Sequence, residues 1–356
     1  MKKSTWALVG ALSATTALAL SGCSGSTDTA SSDGGGGDAA ARACVILPDA
    51  ASSPRWENFD RAYLEEGLTS AGFEVDIQNA QGDTSKYSTI ADQQLTQGCG
   101  VMLLVDYNGA AEGVATKAKA QGIPVIAYDR PFTGADYYVS FDNVQVGELE
   151  GQTIVDGLTA AGKDPATASV IYMGGDPTDG NAAMFREGAD KAMSAAGITP
   201  AAEPKGVWDQ AKSATNFEQA LTSLGGSVDA VWSANDTNAA GVISILQKNN
   251  LTGVPVSGQD ANVAGLQNIL LGWQTATVYK PVADEATAAV DVVVKLLNGE
   301  TVSTDLTLDD GTPYIAVTPQ LVGPDEVQTV VDAGDASAAE ICTGDVAPKC
   351  EEYGVK

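Results

Sequence analysis

The chain has 356 residues, a formal net charge of −27 and no histidine; 44% of its residues are hydrophobic. That length accommodates two domains, and the acidity makes nucleic acid and anionic lipid surfaces poor partners. Without histidine, Ser-His-Asp and Cys-His catalysis and the commonest metal ligand are excluded, while catalysis by paired carboxylates stays open.

Met1-Lys2-Lys3, an apolar stretch from Trp6 to Leu20 and "LSGC" at 20–23 form a basic, then apolar, then lipobox-like sequence. The apolar stretch is shorter than the roughly 20 residues of a membrane span. It predicts a signal peptide at 1–22, cleaved before Cys23, whose sulfur carries lipid. Residues 23–42 are small and polar, with glycine unbroken from Gly34 to Gly37, and read as a flexible tether. Folded structure is expected from about Ala43.

Short apolar runs then alternate with helical patterns. "CVILPD" ends at Asp49; in 56–68, Trp56, Phe59, Tyr63, Leu64 and Leu68 recur at helical spacing. "VMLLVDYN" ends at Asp106 and Asn108, and "VIAYDRP" at Asp129 and Arg130. "SVIYMGGDPTDGN" runs into Asp176, Asp179 and Asn181, "DAVWSAND" into Asn235 and Asp236, "VPVSGQD" into Gln259 and Asp260, and "TATVYK" into Lys280. Apolar runs bounded by turn residues suit parallel strands buried on both faces. Strand–helix repetition with right-handed crossovers gives a doubly wound α/β fold, in which the polar strand ends gather into one ligand site. "DPTDGN" lacks the spacing and terminal Glu of a calcium loop, so no metal is expected there, and no cofactor is expected.

Of five cysteines, four remain if Cys23 is lipidated, and four allow three pairings. Cys44 and Cys99 open strands expected to be neighbours, and Cys342 and Cys350 close a short tail loop. Cys44–Cys99 and Cys342–Cys350 are the expected disulfides in an oxidising exterior.

"SSPRW", "YDRPFTGADYYVSFDNVQVGELEG", "MGGDPTDGNAAMFREG", "SANDTNAAGVI" and "VSGQDANVAGLQNILLGWQTATVYKP" follow in order over residues 43–330. In these the chain resembles the xylose-binding proteins of bacterial ABC importers, of the type I periplasmic binding protein family, and its tail resembles the actinobacterial lipoprotein members. The related multiple-sugar binding proteins share "RW", "YDR", "FDN" and "SGQD". The resemblance implies two doubly wound parallel-sheet lobes joined by three crossovers, with a monosaccharide in the cleft. By that template, lobe one is 43–143 plus 260–305, lobe two is 144–259 plus 306–341, and 342–356 is a disulfide tail. Crossings are expected near "SFDN", near "SGQD" and before "TPYIAVTP".

A sugar carries hydroxyls around its rim and C–H groups on its faces. Charged and amide groups in the ring plane with aromatic plates above and below therefore suit it, and Asp beside Arg or Lys satisfies a hydroxyl as donor and acceptor together. Asp129 and Arg130 fit that description; a strand-capping ion pair is the plainer alternative. The resemblance implies a donor fork and plate in Arg55 and Trp56, a second plate in Trp208, and contacts from Asp179, Asn181, Asn235, Asp260 and Lys280. Trp56 also fits a core helix face, the loop at Asp179 a simple turn, Asp236 a helix cap and Gln259 a hinge. Gly174 and Gly175 are expected to let backbone approach the ligand.

The implied protein is a monomeric, lipid-anchored receptor on the extracytoplasmic face of the membrane, with an ABC permease and ATPase as partners. An aldose is the expected ligand, xylose favoured; multiple-sugar binding, or sensing through a membrane receptor, is the alternative. A carboxylate-pair glycosidase is disfavoured because the carboxylates have Arg and Lys partners. A transcription factor would need a basic helix-turn-helix, which the sequence lacks.

Overall fold

The computed structural model describes residues 41–356 apart from Asp305; the expected signal peptide, Cys23 and the tether to residue 40 lie outside the described residues. The first half alternates β1 (Arg42–Leu47), α1 (Arg61–Ser70), β2 (Glu74–Asn79), α2 (Thr84–Thr96), β3 (Cys99–Leu104), α3 (Ala110–Lys119), β4 (Val125–Tyr128) and β5 (Tyr137–Phe141). Arg42, expected in the tether, instead opens β1 and pairs with Glu74 at 2.7 Å. Side chains of β1 divide between two cores. Cys44 and Ile46 face Tyr87, Ile90 and Val114, whereas Ala43, Val45 and Leu47 face Leu64 and Leu68. Burial on both faces explains why these strands read as unbroken apolar runs.

The second half follows with α4 (Asn143–Ala160), β6 (Val170–Met173), α5 (Gly180–Ala195), β7 (Pro200–Ala202), α6 (Gln210–Ser223), β8 (Ala230–Ser233), α7 (Asp236–Lys248), α8 (Val263–Leu270) and β9 (Thr277–Tyr279). Here too one strand feeds two cores: Val170 and Tyr172 meet Phe185 and Trp232, while Ile171 and Met173 meet Phe217 and Val242. Single parallel bridges, Val231 to Val256 and Gln259 to Val278, carry the sheet from β8 toward β9.

The chain then returns. Helix α9 (Val282–Leu297) packs Ala289 and Val293 into the first half's core. Strands β10 (Leu306–Thr307) and β11 (Pro313–Val317) complete a seven-stranded sheet in the order β10-β11-β5-β4-β3-β1-β2. Strand β12 (Gln320–Val322) pairs antiparallel with β9, followed by α10 (Val327–Ala333), α11 (Ala338–Ile341) and α12 (Ala347–Tyr353).

Two expected boundaries therefore move. Residues 260–281 stay with the second half, because Val278 bridges Gln259 and is buried with Phe141 and Trp232. Residues 306–317 belong to the first half, because β11 runs parallel to β5 with Tyr314 beside Tyr138. The three crossings lie at Phe141–Asn143, at Lys280–Val282 and just after Val317. The second follows β9 rather than "SGQD", and the third follows β11 rather than preceding it.

Both disulfides, Cys44–Cys99 and Cys342–Cys350, are present, each with Cα atoms 5.8 Å apart. The 342–356 segment is no free tail: Val346, Cys350 and Val355 are buried with Leu266 and Val327. No helix among the described residues is long and apolar enough to cross a membrane.

Candidate functional site

The first half delivers its groups from the ends of β1 and β4. After β1, Asp49 folds the loop back by accepting from the backbone N–H groups of Ala51 and Ser52, both at 2.6 Å. A π-helical turn, Trp56–Asp60, then presents Arg55 and Trp56. Arg55 is buried and nearly saturated. It donates to Asp60 through Nε (2.9 Å) and Nη2 (2.7 Å), to Asp129 through Nη1 (2.9 Å), and to Glu285. Four of the five N–H donors of a guanidinium are thus committed to protein carboxylates, so Arg55 holds Asp60, Asp129 and Glu285 together and has one N–H left. Trp56 belongs both to the core and to the cavity wall. Its ring is buried against Leu64 and Leu68, and it also lines the site, with the Arg55 and Arg130 guanidinium carbons 4.7 and 5.3 Å from its centroid.

At the end of β4, Asp129 takes φ = +62°, a left-handed conformation uncommon outside glycine. Its carbonyl anchors that turn: Ser140 Oγ lies 2.9 Å, Tyr138 Oη 2.9 Å and Asn181 Nδ2 2.7 Å from it. Burial pushes the Asp129 carboxyl up, but Arg55, Lys280 and Arg130 outweigh it and hold it below the usual carboxylate range. Arg130 donates to Ser52 Oγ at 2.9 Å and to the Asp106 carbonyl at 3.3 Å.

In the second half, helix caps supply the groups. Asp179 caps α5, accepting from Asn181 N at 2.9 Å. Its other oxygen accepts from Trp208 Nε1 at 3.0 Å and pairs with Arg130 Nε at 3.1 Å. Burial raises its pKa, with Arg130 opposing. Gly175 serves Trp208 rather than the approach of backbone to a ligand, because a Cβ there would lie 2.1 Å from the indole. Gly174 has no such need; a Cβ would meet only Trp232, at 3.8 Å. Asn235 caps α7, the role foreseen for Asp236, and Asp236 is instead wholly buried. Asp260, at φ = +93°, pairs with Lys280 at 2.9 Å. Burial lowers the Lys280 pKa, but Asp260 and Asp129 more than reverse this and keep it charged.

All ten predicted residues, Arg55, Trp56, Asp129, Arg130, Asp179, Asn181, Trp208, Asn235, Asp260 and Lys280, line one cavity of about 30 Å³. Ser52, Ser53, Phe185 and Gln259 line it too and were not among the predicted contacts. The serines precede a recognisable "RW" and are ordinary turn residues. Phe185 sits on a helix face that reads as core. Gln259, read as a hinge, is buried with Oε1 unpartnered. Larger hollows of about 680 and 410 Å³ flank the cavity. Contacts already span the two halves: Arg130 to Asp179, Asn181 to the Asp129 carbonyl, and Asn235 Nδ2 to the Ser52 carbonyl at 3.4 Å. A polar rim, with aromatic faces from Trp56 on one side and Phe185 and Trp208 on the other, is what this arrangement offers a ligand.

The profile described as "Periplasmic binding protein domain" matches residues 44–301. The chain belongs to the periplasmic binding protein family. That family comprises solute receptors rather than enzymes, and the parallel sheets described above are its fold. The chain is 34% identical over 302 residues to the D-xylose-binding periplasmic protein of Escherichia coli, covering 81% of this chain and 88% of that relative. It is 30% identical over 318 residues to a multiple sugar-binding periplasmic receptor of Rhizobium radiobacter, covering 82% and 89%. Among solved structures, an ABC transporter solute-binding protein of Clostridium phytofermentans with bound β-D-glucose matches with a TM-score of 0.75 and 25% identity, covering 84% of this chain and 99% of that one.

Proposed function

We propose that this chain is an extracytoplasmic sugar receptor that captures an aldose, xylose favoured, between its two halves and delivers it to an ABC importer. The observation that carries the reading is the convergence of ten charged, amide and indole side chains from both halves on one cavity. Acceptors and donors stand side by side, as at Asp129 with Arg130 and at Asp260 with Lys280, and a ring hydroxyl needs both. The D-xylose-binding relatives in Escherichia coli and Haemophilus influenzae, at 34% and 36% identity, support the pentose over other ligands. The multiple sugar-binding relatives and the glucose-bound structure favour a second reading, a receptor for several aldoses.

Entry of a sugar ring into a chamber of about 30 Å³ requires the halves to part at the three crossings. Sugar then shifts the population toward the closed form by its greater affinity for that form. Lipid on Cys23 would hold the receptor at the membrane beside its permease. Calorimetry with xylose, glucose, arabinose, galactose and ribose tests the reading. Sub-micromolar to micromolar affinity, about −8 to −10 kcal/mol, is expected for at least one, and no heat with any of them would overturn it.

A further inference from the structure

We infer that Asp236 is a positioning residue whose buried carboxylate ties together the two segments that carry Asp260 and Lys280 into the cavity. The inference rests on the sugar-receptor reading for its consequence, though not for its geometry. Asp236 is fully buried and does not line the small cavity, though it borders the hollow of about 410 Å³ beside it. Its Oδ2 accepts from the backbone N–H of Asn262, two residues beyond Asp260, at 3.0 Å. Its Oδ1 accepts from Gln274 Nε2 at 2.7 Å and Thr277 Oγ1 at 2.9 Å, on the segment that runs through β9 to Lys280.

The two segments also meet through the same hydroxyl, since Thr277 Oγ1 accepts from Ala261 N at 3.3 Å. The Asp236 backbone N–H reaches the Gln259 carbonyl at 3.0 Å. Glycines make the fit possible: a Cβ on Gly258 or Gly265 would lie 2.3 Å from an Asp236 carboxyl oxygen. This clamp surrounds consecutive positive-φ residues, Asp260 (+93°) and Ala261 (+49°), in a conformation that persists only where its surroundings over-determine it. Relaxing the clamp relaxes the Asp260–Lys280 pair, and with it the donor and acceptor offered to one sugar edge.

Asp236→Asn keeps the shape but presents a donor where a donor already points. It is expected to weaken aldose binding about tenfold, the loss of one net hydrogen bond. In an Asp260→Asn background the same change is expected to cost less than in the wild type, because part of its effect runs through Asp260. In sugar-free protein, acetic anhydride labelling of Lys280, read by peptide mass spectrometry, is expected to rise. If Asp236→Asn fails to fold, Thr277→Val tests the same clamp and Thr277→Ser should restore it. Unchanged affinity and labelling, or losses that multiply in the double variant, would overturn the inference. A wild type that binds no aldose would remove the sugar reading while the labelling still decides the role of Asp236.

Discussion

Arg130→Ala puts the cleft chemistry to its hardest test. Arg130 is buried and spans the halves: Nε pairs with Asp179 at 3.1 Å, Nη2 donates to Ser52, and the guanidinium lies over Trp56. With the halves apart, Asp179 is hydrated and loses little when Arg130 is gone. On closing it must leave water without its cation, keeping only the N–H groups of Asn181 and Trp208. Breaking one side of a buried pair costs about 3–5 kcal/mol, and here the cost falls on closure. Affinity should drop at least a hundredfold, since each 1.4 kcal/mol is about tenfold. The mutant has an escape by protonation. Burial already raises the Asp179 pKa against the pull of Arg130, so removing Arg130 raises it further. A carboxyl whose folded pKa is raised binds protons more tightly in the closed, folded state. Its contribution is therefore favourable at low pH and is lost as pH rises from the unfolded value near 4 through the folded value. Calorimetry of the mutant from pH 5 to 8 should show affinity falling as pH rises, with Arg130→Lys in between. A mutant within threefold of wild type at pH 7, with no added pH dependence, would reduce Asp129 and Arg130 to a strand cap.

Trp208→Ala should weaken binding by about 1.5–3 kcal/mol, the worth of one apolar face, and Gly175→Ala should weaken it by displacing the same indole; calorimetry reads both. Replacing Cys342 and Cys350 together by serine should lower stability by up to about 3 kcal/mol, the scale of a short loop, measured by denaturant titration, while sugar affinity holds. Cys23→Ala should move the protein from the membrane fraction to the medium; full retention in the membrane would point to another anchor. Small-angle scattering should show a smaller radius of gyration with saturating sugar, and no change in a sample with confirmed binding would refute hinge closure.

Which residues would gather at one cavity was more legible in the sequence than the path of the chain. The strands that reach the cavity run within a few residues into charge or amide, as β4 does at Asp129 and Arg130, and apolar runs broken that way mark themselves. The crossings have no such mark. "VPVSGQD" and "TATVYK" are equally good strands, and only the bridge from Gln259 to Val278 shows that both stay in the second half before the chain returns. "PYIAV" likewise suits either sheet, and its place beside β5 is set by pairing register, a long-range property. The role of Arg55 was hidden for a related reason. That it stands at the cavity was readable, but its engagement with Glu285 depends on α9 returning to the first half from 230 residues away.

The left-handed turns at Asp129 and Asp260 also bear on how such a receptor can diverge. At φ of +62° and +93° the backbone tolerates few residues beyond glycine, asparagine and aspartate. From an aspartate codon both asparagine and glycine lie one base change away. Evolutionary drift at these two corners is thereby channelled: one step swaps the carboxylate for an amide, the other erases the side chain, and bulkier replacements are closed off by the main chain itself. Change around this cavity would run more readily through the ion-pair partners, Arg130 and Lys280, or the aromatic side chains than through the two aspartates.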